Sequence, residues 1–367
     1  MATPDVIHIV FAITILVIAA LNYFLPRLTR RELFFAVTVS HAYREAPGAR
    51  HTLVRFRAAV CIHAVIAMSL VLVPVPQKLV WLPIVAVYWL LGGCFVAFLK
   101  ARRETLPHAE NQSPEREAGV APRPPSIFGS WWLQASPFAI LAAAAAYLHF
   151  YWDEIPERFP VHWGLDGQPN GWAARSFGGV YGPLLIGTFV CLGLAIISYG
   201  IQHWTRQVRA RGAGTAQESR FRSSQRGVIL LTELFLAATV AWTARLALRN
   251  QASSGMPDVL PILIGATLLV LFVSGWLFYT GQGGENLSTA GSELSLATGE
   301  LPDGDRTPDQ CWKAGVIYIN RKDPAILVEK RFGVGYTLNF GHPLSWALLG
   351  SLVLVPLLLA YFFKHLH

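Results

Sequence analysis

Two ionisable side chains, His63 and Glu233, sit inside long apolar runs. A charge at membrane depth costs several kcal/mol, so such residues mark ion or proton pathways, or else find a neighbour that neutralises them. Brought together, an imidazole and a carboxylate would relay a proton. The alternative is local: Glu233 reaches Arg226, seven residues earlier on the same helical face. A second chemistry-bearing set lies in the stretch IPERFPVHWGLDGQPNGWAARS, residues 155–176, which holds His162, Trp163, Asp166, Asn170, Gly171, Trp172 and Arg175. Asp166-Gly167 and Pro169-Asn170-Gly171 are turn formers, because Pro presets one φ while Asn and Gly accept positive φ. The chain should therefore fold back on itself, bring Trp163 toward Trp172, and leave His162 hydrogen-bonded to Asp166 at the lip of an aromatic cup. Such a cup suits a peptide, a lipid headgroup or a glycan; the same residues would also make a self-packed cap with indoles at the membrane interface. A third set, Lys330, Arg331 and Phe332 with Asn339 close behind, forms a basic aromatic strip. It suits an anionic leaflet or a docking protein.

Metal chemistry is disfavoured. Asp166, Gln168, Asn170 and Gly171 match the first, third, fifth and sixth positions of an EF-hand loop, but Phe177 takes the place of the bidentate Glu and Pro169 stiffens the middle. His162 has no second ligand at zinc spacing. Cys61, Cys94, Cys191 and Cys311 lie far apart, without metal-finger or disulfide-framework spacing. No P-loop, nucleophile elbow, dinucleotide fingerprint or HExxH occurs, which argues against an enzyme of familiar type and against a cofactor.

The elements that must position these residues follow from composition. Of 367 residues, 53% are hydrophobic and only 14% charged. A soluble domain carries roughly 25% charge, so this chain lacks the polar groups to coat a soluble surface. The expectation is an all-α polytopic membrane protein with about eight transmembrane helices and a small β-containing cytoplasmic segment. Apolar runs of spanning length fall near 6–25, 58–76, 79–99, 131–150, 179–202, 227–248, 259–280 and 344–363. The net charge of +8 does not call for nucleic acid, because its distribution is topological. Segments 26–57, 100–129, 205–226 and 281–342 hold 24 Lys and Arg, against five in the alternate segments. By the positive-inside rule the first set is cytoplasmic, and both termini and the loop 151–178 are outside.

The chain divides into a three-span part at 1–103, a proline-rich cytoplasmic linker at 104–126, and a two-span unit at 127–205 carrying the Trp-rich loop. A basic loop with two spans follows at 206–280, then a cytoplasmic segment at 281–342 and a last span at 343–367. Within 312–341, short β-type runs at 315–319 and 325–328 are separated by a turn at 320–324. Residues 31–39 faintly echo the basic aromatic strip.

The stretch Pro160 to Trp172, with Arg175 following, resembles the bacterial membrane family catalogued as domain of unknown function 1648, found in SdpI-like immunity and signalling proteins. Residues 137–190 carry the resemblance, in the order Pro160, His162-Trp163, Gly164, Pro169, Gly171-Trp172; Asn170 stands where the family commonly has Asp. The strip from Trp312 to Phe340, with Asn320, Asp323-Pro324, Lys330-Arg331-Phe332-Gly333 and Asn339, resembles domain of unknown function 5808. The resemblance implies a protein of a bacterial cytoplasmic membrane that senses or resists a membrane-active agent outside the cell. It implies no reaction; the basic inner segments suit anionic lipid at the inner face or a cytoplasmic protein partner, and the Trp-rich loop an external peptide or lipid ligand. The competing expectation is a transporter or membrane-embedded enzyme built on Glu233 and His63.

Overall fold

The computed structural model describes residues 3–72, 81–110, 126–163, 169–205, 213–248, 256–287 and 307–365. Eight of its helices are long and apolar enough to cross a membrane, and the chain is a multi-pass membrane protein. They are α1 (Thr3–Leu28), α3 (Pro47–Leu72), α4 (Leu82–Thr105), α5 (Trp131–Phe150), α6 (Phe177–His203), α7 (Ala213–Ala244), α8 (Met256–Thr280) and a last helix, α9 (Pro343–His365). A short helix α2 (His41–Glu45) precedes α3, its first turn capped by Ser40 Oγ accepting from Tyr43 N.

The spans form two groups. Helices α1, α3 and α4 share a core that includes Ile15, Phe56, Val60, Leu90 and Phe98. Helices α5, α6 and α7 share another, with Leu141, Leu148, Val180, Cys191 and Ala237. Small residues let helices approach closely where lipid offers no hydrophobic drive. Thus Phe363 of α9 fills the space over Gly178 and Gly182 of α6, and Val240 of α7 lies against Gly187. The two groups meet where Phe24 of α1 packs edge-to-face on Phe278 of α8, 5.7 Å between centroids.

Among the described residues, four pairs of short strands decorate the bundle. At one end, β3 (Arg158–Trp163) and β4 (Pro169–Ala174) form an antiparallel hairpin between α5 and α6. At the opposite end lie β1 (Leu33–Phe34) with β2 (Val37–Thr38), β5 (Trp312–Lys313) with β6 (Ile317–Tyr318), and β7 (Leu327–Glu329) with β8 (Tyr336–Leu338). The runs expected at 315–319 and 325–328 are thus not partners of one another. Each pairs with a strand of its own, because a left-handed turn at Ala314 and Gly315 closes the first hairpin and Gly333 and Gly335, also at positive φ, close the second.

These three hairpins form a junction that ties the spans together. Helix α3 begins at Pro47 and α7 at Ala213, both well before the apolar runs, and each packs on the junction from its early turns: Phe56 meets Phe332, and Phe221 meets Tyr336 at 5.8 Å. Leu327 N donates to Trp204 O at the end of α6, and Gln282, just past α8, exchanges hydrogen bonds with both backbone groups of Gly335. Arg30, just past α1, pairs with Glu329.

Candidate functional site

In the β3–β4 hairpin, Phe159 faces the α5–α7 core opposite Ala173, and the next pair joins a buried Pro160 to an exposed Trp172. Trp172 is 41% exposed. A bulge then shifts the register so that His162 opposes Gly171 and Trp163 opposes Pro169. Gly171 has a steric reason to be glycine: a Cβ there would come within 2.8 Å of His162 Cβ.

The hairpin confirms the fold-back but changes its details. Trp163 and Trp172 are not cross-strand partners, because Trp163 pairs three positions away from Trp172, roughly 10 Å along the ladder. His162 Nδ1 meets Asn170 Oδ1, across the strands. Asp166, its expected partner, lies outside the described residues, as does Gln168 of the calcium reading. Arg175 is a clamp: Nη1 donates to Asp153 O at 3.2 Å and Ile155 O at 3.1 Å, and its backbone N to Glu157 O. Ser176 Oγ then caps α6 by accepting from Gly179 N. The result is a braced hairpin whose open side presents Val161, His162, Asn170 and Trp172.

The basic aromatic strip is turned inward. Arg331 is 1% exposed: its guanidinium pairs with Asp309, donates to Thr307 O and lies 5.5 Å from the Trp312 ring centroid. Asp309 in turn accepts from Thr38 Oγ1 at 2.8 Å and Thr38 N at 3.3 Å. Phe332 packs on Phe98, 4.2 Å between centroids, and on Phe35 and Phe56. Asn339 is fully buried; its Nδ2 donates to the carbonyls of Asn320, Asp323 and Ala325, and its Oδ1 accepts from Asn320 N and Gly341 N. Of the four strip residues only Lys330 is exposed. Arg331, Phe332 and Asn339 hold the junction, and their side chains are not presented for docking.

One residue of this assembly escaped sequence reading. Phe35 and Ala36 both have positive φ, 47° and 61°, which is a genuine outlier for a bulky side chain. Two guanidinium groups hold the strained turn: Arg102 Nη1 donates to Ala36 O at 2.6 Å and Phe35 O at 3.3 Å, and Arg331 Nη1 to Ala36 O at 3.4 Å. Arg102, on α4, looked like one more basic residue of a cytoplasmic linker.

The two intramembrane residues are kept apart. His63 on α3 lies over Gly93 of α4, where any Cβ would collide with the imidazole, and meets Trp89 edge-to-face at 5.8 Å. Glu233 belongs to the other helix group, fully buried on α7 beside Cys191 of α6, whose Sγ lies 3.8 Å from Glu233 O. Arg226 does not answer it; that guanidinium turns toward Ser198 Oγ and Gly129. Among the described residues neither carboxylate oxygen of Glu233 has a hydrogen-bond partner.

No curated protein and no solved structure matches the chain. Residues 321–346, from the junction into α9, match the family described as "Family of unknown function (DUF5808)". Residues 139–188, the end of α5, the hairpin and the start of α6, match the family described as "Domain of unknown function (DUF1648)".

Proposed function

We propose that the protein is an SdpI-like receptor or immunity factor of a bacterial cytoplasmic membrane, which senses or resists a membrane-active agent outside the cell. The observation that carries this reading is the braced hairpin, which lies within the matched segment 139–188 and exposes one aromatic and one imidazole side chain at the end of the bundle. Clamping by Arg175 and capping by Ser176 give it a fixed shape, and a preordered surface loses little entropy on binding. A transporter built on His63 and Glu233 has less support, since the two lie in different helix groups.

The orientation belongs to the same proposal. Segments 26–57, 100–129, 205–226 and 281–342 connect the spans at the junction end and hold 24 of the 30 Lys and Arg, which supports a cytoplasmic junction end with the hairpin and both termini outside. A cysteine placed at Gln168 should be labelled in intact cells, and one at Ser126 only after permeabilisation; the reverse pattern would invert the assignment.

The decisive test is Trp172→Ala, scored for membrane abundance and for survival under membrane-active peptides. An exposed anchor contributes about 2 kcal/mol or more to binding, so the response should fall at least tenfold at normal abundance. Trp163→Ala provides a second arm. Full response from both stable variants would defeat the recognition reading.

A further inference from the structure

A groove of about 380 Å³ runs along the lateral surface between α5 and α7. Its walls are Ala143 and Ala144 on α5 and Ala238 and Ala241 on α7, and these short side chains are what create the space. Ala143 and Ala238 are exposed, so the groove opens sideways, toward the hydrocarbon that surrounds the spans. The lining is apolar along its length and changes character at the hairpin end, where Arg245 sits over the Trp242 ring, 3.7 Å from its centroid. Arg245 is three residues from the end of the span Glu218–Leu248, the depth at which lipid phosphates lie.

We propose that this groove holds one phospholipid of the hairpin-side leaflet, with an acyl chain along the alanine wall and the phosphodiester oxygens accepting from Arg245. Three observations favour this occupant over a peptide. The volume lies at the small end of the roughly 300–1,000 Å³ of ligand sites, suited to part of one chain. A peptide would also leave backbone N–H and C=O groups against alanine methyls without partners, a cost that hydrocarbon does not incur. And a guanidinium offers planar, paired donors that match phosphate oxygens, while its position over Trp242 orients it in advance. The inference stands independently of what the hairpin recognises.

The full-length protein, purified in detergent, would be given dioleoylphosphatidylglycerol or dioleoylglycerol and examined by native mass spectrometry after the detergent is stripped. One phospholipid should stay bound, and dioleoylglycerol should not. Arg245→Gln should lower the bound fraction about tenfold, the size expected for losing a hydrogen bond to a charged group. Ala241→Leu, which fills the groove, should do the same, Arg245→Lys should retain part of the binding, and Leu268→Ala, at an exposed position on α8, should change nothing. If Arg245→Gln misfolds on gel filtration, Ala241→Leu and Arg245→Lys carry the test. Equal retention by wild type and variants would mean annular lipid only, equal retention of dioleoylglycerol would remove the phosphate contact, and displacement by glycerol phosphate would mean a free-anion site. Each of these would overturn the proposal.

Discussion

The two ends of this bundle use polar residues in opposite ways. At the junction end, Arg331, Asp309, Asn339 and Arg102 are drawn inside and satisfied by partners distant in sequence. At the hairpin end, Arg175 and Ser176 brace the hairpin locally, while His162 and Trp172 remain at the surface. A buried charge is costly to strand, whereas an exposed aromatic is nearly free to lose. Damage at the first end should therefore appear as lost stability, and damage at the second as lost recognition.

The largest effect is expected from Arg331→Met. It leaves Asp309 facing the space of a removed cation and takes a donor from Thr307 O, while Ala36 O keeps Arg102, a loss of about 3–5 kcal/mol. Thermal unfolding in detergent should show it, together with reduced membrane abundance. An unchanged melting temperature would show that the junction is not what holds the two helix groups.

A smaller effect is expected where the β1–β2 and β5–β6 turns touch. Gly315 has φ of +75° and a Cβ there would lie 2.9 Å from Ala36 Cβ, so Gly315→Ala should destabilise by about 1–2 kcal/mol. The reciprocal change, Ala36→Gly, relieves a left-handed residue and should raise stability by up to about 1 kcal/mol. Equal and opposite signs in the same melting assay would confirm strain; loss of stability in both would show that the Ala36 methyl matters more than its backbone.

The smallest stability change is expected for Trp172→Ala, within about 0.5 kcal/mol, because 41% of that residue is already exposed. A loss as large as that of Arg331→Met would erase the distinction between the two ends.

The eight spans were legible because an apolar run of about 20 residues has one common solution in a bilayer. The fold-back was legible, but not the position of its turn: Pro169, Asn170 and Gly171, read as turn formers, lie in strand β4 and pair across the ladder. What could not be read was pairing at a distance. Arg30 and Glu329 are 299 residues apart, and nothing in either neighbourhood announces the other. Lys330 and Arg331 are adjacent and alike in charge, yet one is exposed and the other is clamped inside by Asp309 and Thr307. The early starts of α3 and α7 were hidden for a related reason: Phe56 and Phe221, near their beginnings, find their aromatic partners Phe332 and Tyr336 only in the distant junction.

The Phe35–Ala36 turn bears on the order in which the chain is made. Its two guanidinium clamps come from α4 and from a residue that follows α8, so the first clamp is synthesised within the opening third of the chain and the second only after seven spans have emerged. During translation the turn is held by Arg102 alone, and the last bond arrives with Arg331. The junction therefore reports completion: a chain interrupted before Arg331 lacks the second clamp on this turn.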